Sequence, residues 1–319
     1  MLQLTIIIPH YNSTASLSRL LGTIPCLGDV QIIVIDDHSD ESHQQELNRI
    51  RKRNAHRNMT MFRNDPDKKG AGACRNIGLQ HAEGKWILFA DADDYFMEGF
   101  YDVIQTNFRS PADIIFFKPT SIEADTGNIS DRHLSFVNLI EDAARAPYSK
   151  EAELSLRYKF IVPWSKLVRT SFIKEHDISF DEVISANDVM FSTKAGYYLD
   201  AFDLSDEVIY CATTNKGSLT KTINNDVFDT RLNVFINQYR FLQEHLPETD
   251  FKKLGLSGRP LLIKAADLGL KKAITVFFKL KRHKVLMIEP KLFNPLWFFR
   301  KALFVYQKQK RERDYHRKG

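Results

Sequence analysis

The sequence predicts an α/β protein: a mostly parallel central sheet flanked by helices, followed by a helical C-terminal extension. Three observations lead there. Short β-branched runs alternate with helical segments through the first half of the chain. Those runs are apolar along their whole length, as in strands covered on both faces. Polar and acidic clusters follow three of them directly, at the carboxyl ends of the strands, where such sheets bind ligands.

Residues 4–8 (LTIII) read as the first strand, stopped at Pro9, and residues 16–21 as a helix. Residues 31–35 form a second apolar run that ends at Asp36 and Asp37, with a polar helix expected over 41–53. A short strand follows at 59–62, a helix at 72–81, a strand at 86–90 ending at Asp91, and a strand at 113–117. Residues 122–149 are polar and read as a loop or flap, and residues 161–180 hold short apolar runs around Trp164. A helix is expected over 189–198. Beyond it, Phe228, Leu232, Phe235, Tyr239 and Leu242 recur at spacings of three and four, predicting a long helix over 226–246. One further helix is expected over 260–280, and an amphipathic one over 292–306.

The 319 residues, 43% of them hydrophobic, suffice for one large domain with an appendage. The division expected is 1–220 and 221–319, with the first part split near residue 118 into two halves. The net charge is +5, but the last twenty residues alone hold eight Lys/Arg against two acids. The body is therefore nearly neutral, which argues against a nucleic-acid partner, and the tail suits an anionic membrane surface. Three scattered cysteines without paired spacing fit a reducing compartment. With no signal-like N-terminus, the chain is expected in the cytoplasm, its tail able to reach the inner face of the cell membrane.

Asp91-Ala92-Asp93-Asp94 carries the clearest chemistry. Three carboxylates in four residues repel one another unless a cation or buried donors compensate, and hard divalent cations prefer oxygen ligands. The same residues also suit a turn or a helix cap.

Three motifs then occur in order: TIIIPHYNS with VIDDHSDE after it, GAGACRNIGLQHAEGKWILFADADDYF, and FDEVISANDVMFSTKAG. Together they resemble family 2 glycosyltransferases over roughly residues 4–201. The resemblance implies the GT-A-like nucleotide-diphospho-sugar transferase fold. It also implies transfer with inversion from a nucleotide sugar, in the first instance a UDP-sugar, to a saccharide or lipid-linked saccharide acceptor in bacterial surface polysaccharide synthesis. The cofactor implied is Mn²⁺ or Mg²⁺. Carried over by position, Pro9, Tyr11, Asn12, Asp37, Arg75, Asp91 and Ala92 line the donor nucleotide site, Arg75 reaching the base. Asp93 and Asp91 hold the metal, and Asp188 is the general base. Trp164, Asn187, Lys216 and Ser218 are candidates for the acceptor or the diphosphate. Taken singly, Asp188 and the Asp36-Asp37 pair also suit helix caps, Arg75 a surface ion pair, and Trp164 a place in the core or a hinge.

The chain also departs from the family pattern. Asn187 precedes Asp188 where an acid is common, TNKGSLT lacks the histidine many relatives carry, and no QxxRW motif is present, which disfavours a processive synthase. Two other readings of the chain are a sugar nucleotidyltransferase and a catalytically silent binding protein. The first turn reads PHYNSTAS rather than a glycine-rich phosphate loop, against the former, and the intact acidic motifs stand against the latter.

Overall fold

The computed structural model describes residues 2–214 and 224–287. The chain divides into two compact units, Met1–Lys221 and Thr222–Gly319. The first unit opens with alternating elements: β1 (Leu4–His10), α1 (Thr14–Thr23), β2 (Val30–Asp36), α2 (Glu41–Arg53), β3 (Met59–Arg63), α3 (Ala71–Gln80) and β4 (Trp86–Phe89). Then come β5 (Tyr95–Phe96), α4 (Phe100–Gln105), β6 (Ile114–Glu123), α5 (Leu134–Arg145), α6 (Lys150–Lys159), β7 (Lys166–Arg169), α7 (Thr170–Glu175), α8 (Asp188–Tyr198) and β8 (Phe202–Thr214).

Among the described residues the strands form one sheet in the order β3-β2-β1-β4-β7-β6-β8-β5. The β3-β2-β1-β4 side is parallel throughout, as expected from its strand–helix alternation. The other side is mixed: β7 runs against both β4 and β6, β6 and β8 are parallel, and β5 is antiparallel to β8. Every residue of β1 and β2 is buried. Successive side chains alternate between faces. Ile6, Ile8, Val34 and Leu88 join Leu17 and Leu20 of α1 in one core, while Ile7, Ile33 and Phe89 join Cys74 of α3 and Phe191 of α8 in the other. Burying each such Ile or Leu is worth about 1.5–3 kcal/mol, so both layers hold the strand ends rigidly.

The segment read as a polar flap is largely ordered, which corrects that expectation. β6 extends to Glu123, and residues 134–145 form α5. Ile140 and Ala143 sit three apart on its inner face and are buried in the second core. That weak periodicity was hidden by the polar residues between. α6 and the thirteen-residue β8 also escaped the sequence pattern.

In the second unit, α9 (Asn225–His245) is capped by the Asn224 side chain, whose Oδ1 accepts from the Val227 N–H at 2.8 Å. α10 (Glu248–Leu254), α11 (Arg259–Asp267) and α12 (Leu270–Arg282) follow. The single helix expected over 260–280 is thus two helices, broken at Gly269, whose φ of +120° a side chain would resist. Phe228, Leu232, Ile236 and Tyr239 of α9 pack with Ala265, Val276, Leu280 and Val285 in a separate core. Among the described residues, no helix is long and apolar enough to cross a membrane. The amphipathic stretch expected over 292–306 and the basic tail lie outside the described residues.

Candidate active site

The carboxyl ends of β1 and β2 are tied together by a polar network. His10 Nδ1 lies 3.1 Å from Asp36 Oδ1, and His10 Nε2 accepts from the Ser13 N–H at 3.2 Å. An accepting Nε2 leaves the proton on Nδ1, facing Asp36. Burial alone would raise the Asp36 carboxyl, but hydrogen bonds with His10, Ser39 and Gln44 outweigh it and bring the group down to about 2. Asn12 adopts a left-handed backbone (φ 47°) and exchanges hydrogen bonds with Asp40, its Nδ2 donating and its Oδ1 accepting, each at 2.8 Å. It braces the two loops. Tyr11 beside it is 58% exposed, while Pro9 is buried within β1. Asp37 accepts from Asn64 Nδ2 at 2.7 Å and from the Gly70 N–H at 2.8 Å.

At the end of β4, the aspartate cluster divides into roles its spacing could not separate. Asp94 is fully buried and accepts from the Tyr210 hydroxyl at 2.8 Å and the Thr213 N–H at 2.6 Å, joining the turn to β8. Burial, then the Asp93 and Asp91 charges, raises its carboxyl well above the ordinary range. The Asp91 N–H donates to Tyr210 Oη at 2.9 Å, so this hydroxyl links both ends of the motif. Asp93 contributes its backbone carbonyl to Arg19 Nη2 (2.6 Å) and Thr213 Oγ1 (2.7 Å). Its carboxyl is raised by burial and by Asp91, an effect that the Arg132 and Arg19 charges only reduce. Ala92, between them, is buried at 5% exposure.

Arg75 joins this motif to the loop before α8. Its guanidinium donates to Asp91 Oδ1 at 2.5 Å and to Asn187 Oδ1 at 2.8 Å, and stacks over Phe180 at 5.2 Å. At 4% exposure with both ends engaged, it is placed as a bridge inside the protein, which differs from the expected reach toward a nucleobase. The neighbouring Asn76 grips the same loop: its Oδ1 accepts from the Phe180 N–H (2.8 Å) and its Nδ2 donates to the Phe180 carbonyl (3.0 Å). Close approach is possible because position 72 is glycine. A Cβ there would lie 2.1 Å from the Asp181 carbonyl oxygen and 2.9 Å from Asn187 Cβ.

Asp188 is the first residue of α8, after Ala186 in a left-handed conformation (φ 59°). The preceding residue, Asn187, makes no side-chain cap, its amide oxygen being taken by Arg75. Burial raises the Asp188 carboxyl, Asp91 adds to this, and Arg75 and Lys166 oppose it. Glu182, the nearest alternative acid with Asp181, is engaged by Lys68 at 2.9 Å and by Asn76 at 3.3 Å. Behind Asp188 lies Lys166, donating to the Phe160 carbonyl (2.5 Å) and to Ser192 Oγ (3.3 Å), one turn along α8. Burial lowers its ammonium to about 7 against the pull of Asp188.

Of the residues singled out in sequence, Asp91, Arg75, Asn187 and Asp188 thus form one connected group, with Asp93 adjoining it. Trp164 does not join it. Its ring is 1% exposed, stacked on Tyr210 (5.5 Å, 14° between planes) with Phe136 against it edge-on, so the core role replaces sugar stacking. Lys216 and Ser218 lie outside the described residues. The pattern missed Asn64, Tyr210, Arg19, Arg132 and Lys166, which reach the site from other segments. His10, inside the TIIIPHYNS motif, and Asn76, half of the Arg-Asn pair, carried a signal but were given no role.

The family described as glycosyl transferase family 2 matches residues 5–177, more than half of the chain. The poly(ribitol-phosphate) beta-N-acetylglucosaminyltransferase TarS of Staphylococcus aureus is 26% identical over 226 residues, which cover 68% of this chain and 36% of TarS. The chain therefore spans little more than a third of that relative. The putative glycosyltransferase EpsH of Bacillus subtilis is 21% identical over 78% of this chain and 72% of its own. Among solved structures, TarS residues 1–349 in complex with UDP-GlcNAc superpose with a TM-score of 0.61 at 22% identity, covering 79% of this chain and 70% of that one. The mannosyltransferase PcManGT of Pyrobaculum calidifontis, in complex with GDP-Man and Mn2+, gives 0.55 at 14% identity, covering 95% and 84%. These two likenesses establish the fold.

Proposed function

The chain belongs to glycosyl transferase family 2, and from that premise we propose that it moves a sugar from a nucleotide-diphosphate donor to a saccharide or lipid-linked saccharide acceptor, with inversion, in assembling a bacterial surface polysaccharide. The observation that carries the proposal is the Arg75 bridge, which brings Asp91 and the Asp188 loop to one end of the sheet. TarS, solved with UDP-GlcNAc, supports a UDP-sugar as donor.

Asp188 takes the proton from the acceptor hydroxyl as its oxygen bonds to the anomeric carbon and the bond to the diphosphate breaks. A carboxyl raised by burial suits a base, since proton transfer works best when its pKa lies nearer the operating pH. The nucleoside is received by the β1–β2 edge, where Tyr11 is exposed and Asn64 and Gly70 fix Asp37. The guanidinium groups of Arg19 and Arg132 act on Asp93 and supply positive charge near the diphosphate.

A divalent cation, Mn²⁺ or Mg²⁺, fits the donor set. Asp93 and Asp91 offer hard oxygens, and burial and the Asp91 charge raise the Asp93 carboxyl even with Arg19 and Arg132 opposing, so a cation beside it would be favoured. No group of three His, Cys, Asp or Glu gathers as a metal cage among the described residues, and Asp93 and Asp91 are the residues that would hold the ion. When bound, such an ion neutralises charge on the departing diphosphate. PcManGT, solved with Mn2+, supports the assignment.

The test is a panel of UDP-glucose, UDP-GlcNAc, UDP-galactose and GDP-mannose incubated with Mn²⁺ and no acceptor. Slow release of UDP from one of them, above an Asp93→Ala control, is expected. Release of GDP alone would overturn the nucleotide assignment, and no release above the control would overturn the activity.

A further inference from the structure

Helix α12 is apolar on two opposite faces. On one, Val276 and Leu280 are buried in the core of the second unit, with Ala273 packed against it. On the other, Leu270 is 77% exposed, Ile274 49% and Phe278 61%, with Phe277 at their edge. At 3.6 residues per turn, Ile274 and Phe278 point nearly opposite to Val276 and Leu280. A helix apolar all round is ordinarily buried, and a contiguous exposed apolar stripe marks an interaction surface.

The charge on the helix indicates what the surface meets. Residues 270–284 contain no Asp or Glu and six Lys/Arg. Two of the six turn inward: Lys272 pairs with Asp229 at 2.7 Å and Lys279 donates to Asn233 at 2.5 Å. Lys271, Lys281 and Arg282 are exposed around the apolar stripe. Burial and the cations Arg240, Arg282 and Lys279 hold the His283 imidazole below its ordinary value, a sign of positive potential at this end. A second copy across a two-fold axis would bring this cationic rim against itself, which disfavours self-association. Aromatic and aliphatic side chains flanked by exposed cations complement a surface with acyl chains below and phosphates above.

We propose that the outer face of α12 binds an anionic lipid surface, Leu270, Ile274 and Phe278 entering the boundary of the acyl chains while Lys271, Lys281 and Arg282 meet lipid phosphates. The proposal does not depend on the activity assigned above.

Sedimentation of the full-length chain with phosphatidylcholine vesicles, with and without phosphatidylglycerol, tests it. The wild type should sediment with the anionic vesicles only, and rising salt should release it. The double variant Ile274→Glu/Phe278→Glu alters exposed positions. It should bind at least about tenfold less with unchanged melting temperature and elution volume, while Ile274→Leu/Phe278→Trp keeps binding. Absence of wild-type binding, or undiminished binding by the glutamate variant, would overturn the proposal. So would a large fall in melting temperature of that variant, which means the chain's own residues cover the face. A change in its oligomeric state would overturn it too, pointing to a second copy.

Discussion

Two acidic clusters stand at the same edge of the sheet, after β2 and after β4, and the protein treats them oppositely. Asp36 and Asp37 are met by donors from His10, Ser39, Gln44, Asn64 and Gly70, and the Asp36 carboxyl falls to about 2. The carboxyls of Asp93, Asp94 and Asp188 rise instead, because they are buried and Asp91 adds its charge. A fold that satisfies its carboxylates is using them as structure or as a fixed recognition edge. A fold that buries charge without satisfying it leaves that compensation to a ligand. Within the motif the partners differ: Tyr210 and the Thr213 N–H donate to the Asp94 carboxylate, whereas Arg19 and the Thr213 hydroxyl donate to the Asp93 backbone carbonyl.

The contrast breaks most visibly at Asp188. Asp188→Asn keeps the shape but cannot accept a proton, so transfer should slow at least about a hundredfold while UDP binding persists. Near-wild-type transfer by that variant, with Glu182→Gln inactive, would move the base to Glu182. The next effect is on stability. Asp94→Ala leaves the Tyr210 hydroxyl and the Thr213 N–H without their acceptor and should cost about 2–4 kcal/mol in urea unfolding. Asp93→Ala should cost less than about 1 kcal/mol, since Asp93 binds its neighbours through its backbone. Equal losses would erase the distinction between the two aspartates.

Asp36→Asn sharpens the other side. The folded-state carboxyl lies below its ordinary 3.8, so its contribution is present above about pH 4 and is lost as pH falls through about 2. The variant should be less stable than wild type by about 2 kcal/mol at pH 7, with the gap closing toward pH 2. A gap independent of pH would refute the charge-based account. The smallest effect is on the pH profile. The acid limb of kcat/KM should lie above the ordinary carboxylate range, since burial raises Asp188. Lys166→Met should move that limb further up, because the ammonium opposes the rise. An unmoved limb would uncouple Lys166 from the base.

How far the sequence could be read follows from the same physics. Strands β1, β2 and β4 were legible because a short, continuous apolar run that stops at acids matches a buried strand leading into a polar edge and matches little else. The second half of the sheet was not, because β7 is four residues long and β8 begins polar, with FDLSDE partly or fully exposed. Asp91, Asp93, Arg75 and Asp188 were singled out by motif, and only their contacts distinguish them. Arg75 reads as a nucleobase ligand by resemblance and as a bridge by its hydrogen bonds. Trp164 reads equally as platform or core until its burial decides. Tyr210 and Lys166 carry no local signal at all: what makes each important is a partner more than twenty residues away.

The protein only partly compensates the charge after β4, and a cation arriving with the donor would complete that compensation. Calorimetry of UDP binding, with and without Mn²⁺, on the wild type and on Asp93→Ala measures it directly. UDP should bind more tightly with Mn²⁺ in the wild type, and the gain should vanish in Asp93→Ala while its metal-free affinity stays the same or improves. Affinity indifferent to Mn²⁺ in both proteins would contradict the account.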